Sequence, residues 1–289
     1  LNYPLPECDS RRENKKVLSA GENMPVRVCI AGPLTGPRAC YGELIRGAIA
    51  DLPQREGLSI HFFDDKANPQ VVERHLAEII RQSDVVIGHF NSNCALAAIP
   101  AYRAAGIPLL LPASTAAHLG DGKFVFQLCS TEAEQVKELK AVADSHYPDA
   151  TRYYWADGSA YSQRLLERLQ AHYGHPIPEI SASDNGDRGA GGVTFYLGAH
   201  FSILARMHQE GASWRGAAIC CDDCDITEFT QRARPGTWVC SSTPGYRELL
   251  QRSVDIAWRV MYRNSNNWAD YFDERGRHLP AGWQSYCIK

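Results

Sequence analysis

No apolar run in the 289 residues approaches the length of a membrane span. Charge of one sign is also missing. The 30 Lys and Arg stand against 33 Asp and Glu, a formal net charge of −3, so no basic face is offered to nucleic acid or to an anionic membrane. The N-terminal stretch 1–25 carries charges but no apolar segment with a small-residue cleavage site, so no secretory signal is visible. Absent too are G-x-S-x-G, H-E-x-x-H, G-x-x-x-x-G-K and G-x-G-x-x-G. Those absences remove the hydrolase elbow, the zincin helix, the P-loop and the dinucleotide fingerprint from consideration. There is no solenoid repeat and no long low-complexity tract.

What is present has globular composition, with 44% hydrophobic and 22% charged residues, and length enough for two domains with real cores. Ten cysteines are scattered, several of them in apolar strand-like contexts. They read as small buried hydrophobes in a chain too long to need a disulfide framework. A cytoplasmic, reducing setting is therefore expected. The alternative is the periplasm after removal of a signal, since the chain starts without Met.

Residues 1–24 read as a flexible polar lead. Strand-like runs follow at 26–31, 59–63, 84–88, 108–111, 152–155, 193–197, 217–220 and 237–241, with helix-like stretches between most of them. The segment 69–81 places Val72, Leu76, Ile79 and Ile80 on one face, after a cap at Asn68 and Pro69 in the first turn. Thr131 with Glu134 has capping-box spacing before Val136, Leu139 and Val142. Residues 162–170 carry Leu165, Leu166 and Leu169, and the stretch 246–262 is amphipathic. Strand and helix alternating in this way imply parallel sheets with right-handed crossovers. The first series of units ends near Leu119 and a second begins at Arg152, which makes two α/β lobes. The Gly- and Asp-rich stretch 181–192 reads as a loop.

In open parallel sheets ligands bind beyond the carboxyl ends of the strands. In the first lobe those ends are followed by Gly32-Pro33-Leu34-Thr35-Gly36 and then Tyr41, by His89 to Asn93 including Ser92, and by Pro112-Ala113-Ser114-Thr115. Hydroxyls, amides and helix-start N–H groups suit a carboxylate or another anion. In the second lobe the ends are followed by Asp157 to Tyr161 and by Cys221-Asp222-Asp223-Cys224. A carboxylate pair suits an ammonium or polar N–H groups. Facing half-sites of opposite preference describe a receptor for a zwitterion or a small amide. The plainer alternative makes Ser92, Ser114 and Thr115 only helix caps and turn residues.

The stretches "IAGPLTG" followed by "YG", "DD" and "NPQ", "VVIGHFNSN", "PAYRAAGIPLLLPAST", "FVFQLCSTEAEQ" and "YYWADGSAYSQRLLERL" resemble the type I periplasmic binding proteins, nearest to the leucine/isoleucine/valine- and amide-binding branch. The resemblance runs from about Val26 to Tyr196, thins, and returns at "YFDERGRHLPAGWQSYCIK" as a closing hairpin. It implies an α/β fold of two Rossmann-like, doubly wound lobes joined by hinge strands. Lobe 1 is placed at 25–120 with a return at 245–263, and lobe 2 at 121–244 and 264–289. The resemblance also implies that Ser92, Ala113 and Thr115, with Ser114 beside them, hold a ligand carboxylate, and that Tyr41 and Tyr161 line the cleft. Asp222 or Asp223 then stands where amino-acid binders place an acid for the ammonium.

The chain departs from the pattern in two places. An aromatic expected after the 193–197 strand is Ala199 or His200 here, so His200 joins the expected ligand contacts, and the region before the closing hairpin is short. A second copy of the chain, a regulator or a permease is the expected protein partner.

Other groups read as structural. Cys221-x-x-Cys224 lacks the second ligand pair of a zinc site, so Cys220 is read as core and no metal or cofactor is expected. His172 and His175 close a helix, His75 and Glu78 face solvent, and the tandem Asp64-Asp65 follows a strand at a position the resemblance implies is structural or borders the cleft. Trp214, Trp238, Trp258, Trp268 and Trp283 crowd the C-terminal third as core or interface. The expected function is non-catalytic binding of an amino acid, amide or similar polar metabolite by lobe closure, as a cytoplasmic sensor. The alternatives are the solute-binding component of an ABC importer and an enzyme built on this fold.

Overall fold

The computed structural model describes residues 24–117, 119–180, 192–211, 216–264, 267–278 and 282–289. The N-terminal lead, all but the last residue of the 181–192 stretch, and Trp214 lie outside them. In chain order the first sheet is built from β1 (Val26–Gly32), α1 (Ala39–Ala50), β2 (Leu58–Asp64), α2 (Pro69–Gln82), β3 (Val85–Gly88), α3 (Ser92–Ala105), β4 (Leu109–Leu111) and β5 (Val125–Gln127). Its strand order is β2-β1-β3-β4-β5, with every pairing parallel.

The chain continues through α4 (Glu132–His146), β6 (Arg152–Ala156), α5 (Ala160–Tyr173), β7 (Val193–Leu197), α6 (His200–Glu210), β8 (Ala217–Cys220), α7 (Thr227–Thr230) and β9 (Trp238–Thr243). It then forms α8 (Tyr246–Met261) and β10 (Gly282–Cys287). The second sheet has the order β10-β9-β8-β7-β6 and is parallel except for β10, which runs antiparallel to β9. The fold is α/β and doubly wound in two halves, as the alternation of strand and helix predicts.

Alternation along β1 divides the core. Val28 and Ile30 face one side with Val85, Ile87 and Leu110, while Cys29 and Ala31 face the other with Val86, Leu109 and Leu111. Both faces are apolar because helices cover both: α1 and α8 pack together on one, α2 and α3 on the other. The predicted cap of α2 is present, with Asn68 accepting from the Gln70 N–H at 2.9 Å. At α4 the Glu134 carboxylate accepts from the Thr131 N–H at 2.9 Å and its hydroxyl at 3.1 Å. Among the described tryptophans, Trp268 stacks on Phe126 at 4.7 Å and the Trp283 indole N–H donates to Thr131 O at 3.1 Å, so both close the fold.

Two boundaries differ from those expected. Val125–Gln127 pairs with β4 in the first sheet, so the crossing to the second sheet follows residue 127 rather than 120. No helix separates β4 from β5, and a strand this short after a turn reads locally as the start of the next unit. Near the other end, Gln127 N–H donates to Gly276 O at 2.7 Å and His278 N–H to Gln127 O at 3.0 Å. Segment 267–278 therefore lies on the β5 edge, and only β10 enters the second sheet. Gly276 has φ +71°, and a Cβ there would stand 2.4 Å from Val125 O, so the close approach requires glycine.

The turn into β5 is held by Asp121, whose carboxylate accepts from the N–H groups of Lys123, Phe124 and Val125 at 2.8–3.0 Å and from Arg103 at 2.7 Å. Burial pushes this carboxyl up, and the hydrogen bonds outweigh it, bringing it from 3.8 to about 2. A depressed folded-state value contributes stability above 3.8 that is lost as pH falls towards about 2. We expect Asp121→Asn to cost about 1 kcal/mol at neutral pH, and the gap from the unchanged protein to close across that window. Urea unfolding at a series of pH values measures it.

Candidate functional site

The strand ends of the two sheets face each other, and short turns present the side chains. After β1 the chain turns through 33–36, fastened by Asp64, whose carboxylate accepts from the Leu34 N–H at 2.9 Å and the Thr35 hydroxyl at 2.5 Å. A 3-10 turn, Gly36–Arg38, ends on Arg38 and feeds α1, whose first turn carries Cys40 and Tyr41. After β3, Asn91 caps α3 by accepting from the Asn93 N–H at 2.9 Å, which places Ser92 at the helix start. After β8 a 3-10 turn, Asp222–Cys224, carries both aspartates, each less than a tenth exposed. After β7 comes Gly198 at φ +139°, where a Cβ would stand 2.3 Å from the Asp157 carboxyl carbon. That close approach lets Asp157 accept from the Ala199 N–H at 2.7 Å and fix the start of α6 at His200.

Asp223 joins the two halves. Its carboxylate pairs with the Arg38 guanidinium and accepts from the Tyr41 hydroxyl at 3.1 Å, both from the first half. From the second half it meets the His200 N–H at 2.7 Å and His200 Nδ1 at 3.0 Å. Burial would raise this carboxyl, but the Arg38 charge and the His200 contacts hold it well below the usual carboxylate range. Burial also works to lower His200, and the bonds to Asp223 and Cys40 overturn that, bringing it to about 9. Asp222 meets different partners. It accepts from the hydroxyls of Tyr161 and Tyr246, and burial pushes it up, with those bonds recovering only part. The Tyr41 ring stands edge-on to Phe90 at 6.4 Å and to His200 at 6.3 Å, so one wall runs from the loop after β3 to the second half.

The residues expected at the site fall into three groups. Tyr41, Tyr161, Asp222, Asp223 and His200 come together, but their polar atoms bind one another. His200 is fully buried, with Nδ1 on Asp223 and Nε2 3.5 Å from Cys40 Sγ. Ser114 is turned inward, its hydroxyl donating to His89 O at 2.6 Å. Ser92 and Thr115 are the hydroxyls left over. Ser92 Oγ accepts from the Ala116 N–H at 3.2 Å and keeps its proton, and Thr115, 4% exposed, makes no side-chain hydrogen bond among the described residues. Ala113 is buried beside them.

Cys221 exchanges weak bonds with the Gly198 backbone, and Cys220 and Cys224 are core. Asp65 is buried against His89 Nδ1 at 2.7 Å. Sequence reasoning missed Arg38, Tyr246 and Gln135, whose buried Nε2 has no partner. Tyr246 opens α8 and Gln135 lies in the first turn of α4, each just after the chain has crossed between sheets. A crossing followed by a helix start is the signal that could have found both.

No protein-family model matches the chain. Among curated proteins, Leu/Ile/Val-binding protein homolog 2 of Brucella abortus is 25% identical over 161 residues, covering 50% of this chain and 42% of that protein. Homolog 1 from the same species is 28% identical over 160 residues with the same coverage. Of solved structures, the branched-chain amino acid transporter substrate-binding protein LivJ from Streptococcus pneumoniae, in complex with isoleucine, superposes with TM-score 0.72 at 13% identity, covering 91% of this chain and 100% of that one.

The chain has the fold of the type I periplasmic binding proteins. Its sequence matches span less than half the length of the curated relatives. A leucine-bound ABC transporter substrate-binding protein from Desulfitobacterium hafniense (TM-score 0.71, 16% identity, 92% and 98% covered) has the same two-sheet fold. So does a Rhodopseudomonas palustris solute-binding protein holding 4-hydroxybenzoate (0.60, 13%, 80% and 73%).

Removing one partner of a buried ion pair leaves the other charge unanswered. Arg38→Met is therefore expected to lower stability by about 2 kcal/mol, because His200 and Tyr41 still serve Asp223. Denaturant unfolding of the variant beside the unchanged chain is the check.

Proposed function

We propose that the chain is a non-catalytic receptor that closes its two halves on a small carboxylate-bearing metabolite of the amino-acid or amide class. The observation that carries this is the pair of hydroxyls at Ser92 and Thr115, which still have hydrogen bonds to give at the ends of β3 and β4. A ligand oxygen there would accept from both hydroxyls, a charge-assisted bond of about 1.5–3 kcal/mol each. From the other half, Gln135 Nε2 has no acceptor among the described residues, while its Oε1 accepts from the Tyr161 hydroxyl at 3.2 Å. Asp222 and Asp223 already accept bonds from protein donors, so the reading rests on the carboxylate end of the ligand rather than on its ammonium. The ligands in the isoleucine, leucine and 4-hydroxybenzoate complexes share a carboxylate, and only two of them carry an ammonium.

The second reading makes this receptor the solute-binding component of an ABC importer. It is favoured by the names of the structural relatives, two of which are transporter substrate-binding proteins. That reading goes with a periplasmic setting, and the sensor reading with the cytoplasm. Fractionating cells that express the full-length gene separates the two.

The binding proposal is tested by thermal shift with amino acids, their amides and aromatic carboxylates. A ligand at about 100 times its Kd adds about 2.7 kcal/mol, a shift of a few degrees. Ser92→Ala and Thr115→Val are each expected to weaken binding about tenfold, the loss of one charge-assisted hydrogen bond. A flat panel on folded protein, or a hit insensitive to both variants, overturns it.

A further inference from the structure

We propose that Cys40, His200 and Glu228 form a binding site for a zinc-class divalent metal ion that straps the first half of the molecule to the second. One ligand atom from each lies within 4.8 Å of the others. Cys40 Sγ is 3.5 Å from His200 Nε2, and His200 Nε2 is 3.6 Å from Glu228 Oε2. Around a tetrahedral zinc, a sulfur at about 2.3 Å and a nitrogen at about 2.0 Å stand about 3.5 Å apart, and a nitrogen and an oxygen about 3.4 Å. The sulfur–nitrogen and nitrogen–oxygen spacings are those of ligands around an ion, and the sulfur–carboxylate spacing, within 4.8 Å, closes by rotation of the partly exposed Glu228 side chain.

The surroundings fit the same reading. His200 Nδ1 is held by Asp223 at 3.0 Å, which directs Nε2 at the cluster, the carboxylate–histidine arrangement that orients metal-bound imidazoles. The other oxygen of Glu228, Oε1, accepts from Arg232 at 3.2 Å, leaving Oε2 for the ion. A thiolate, an imidazole and a carboxylate together suit a borderline-soft ion, with water as the fourth ligand. The Glu228 side chain is 40% exposed, so the cluster is open on that side to water and to an entering ion. Binding replaces the thiol proton of Cys40 and any proton on His200 Nε2, and these protons go to solvent.

Cys40 stands on α1 and the other two on α6 and α7, so the ion favours the arrangement in which the halves meet. The signal is invisible to spacing rules because its ligands come from three distant segments. The pair at Cys221 and Cys224, which does have ligand spacing, is buried in the core instead.

The test is to strip the full chain with a chelator and titrate it with cobalt(II), reading the near-ultraviolet thiolate-to-cobalt charge-transfer band. The band is expected to saturate at one equivalent and to disappear on adding zinc. Cys40→Ser should abolish it, while Cys287→Ser and Cys8→Ser should keep it. Glu228 is 40% exposed, so Glu228→Gln, which keeps the side chain's shape, should keep the band and weaken cobalt binding at least about tenfold. No saturable band, a band that survives Cys40→Ser, or an affinity unchanged in Glu228→Gln each overturns the proposal.

Discussion

Asp223 is buried where the two sheets' strand ends meet, with an arginine, a tyrosine and a histidine around one carboxylate. Burying such a charge costs several kcal/mol unless it is answered on every side. Half of the answer comes from each part of the chain: Arg38 and Tyr41 from the turn after β1, His200 from the start of α6. The charge is stable only when those parts are together. Asp222, its neighbour in the same turn, looks the other way to Tyr161 and Tyr246 and keeps a raised pKa. Two adjacent aspartates thus have opposite electrostatic environments, set by which side chains reach them.

The rest of the scaffold serves that meeting. Asp64 fastens the loop after β1, so Arg38 and Tyr41 leave it at a fixed angle. Asp157 and Gly198 do the same for His200. α8 packs on α1 and brings Tyr246 to Asp222, and segment 267–278 covers the β5 edge of the first sheet. With so many donors committed to holding the halves together, few polar atoms remain for a ligand. Ser92, half-buried, and the buried Thr115 and Gln135 stand out because each still has a bond to make.

The strands and helices were legible because their period is written residue by residue. Val28, Ile30 and their alternates mark a strand covered on both faces, and Val72 with Ile79 marks one face of a helix. β5 and segment 267–278 were misplaced, since three residues carry no usable period and an edge pairing between Gln127 and Arg277 spans half the chain. The strand-end rule led to Tyr41, Tyr161 and the two aspartates, which do converge. It said nothing about which of their atoms would already be taken, and so Ser114 and His200 were expected to face a ligand when both are turned to their own neighbours.

Local pattern therefore determined the α/β class, the capped helices and the turns from which the site is built, because those depend on neighbours a few residues apart. Which carboxylate meets which cation was decided by tertiary structure. So was the meeting of Cys40, His200 and Glu228, which no spacing in the sequence announces. Partners 160 and 185 residues apart are brought together only by the packing of one sheet's strand ends against the other's.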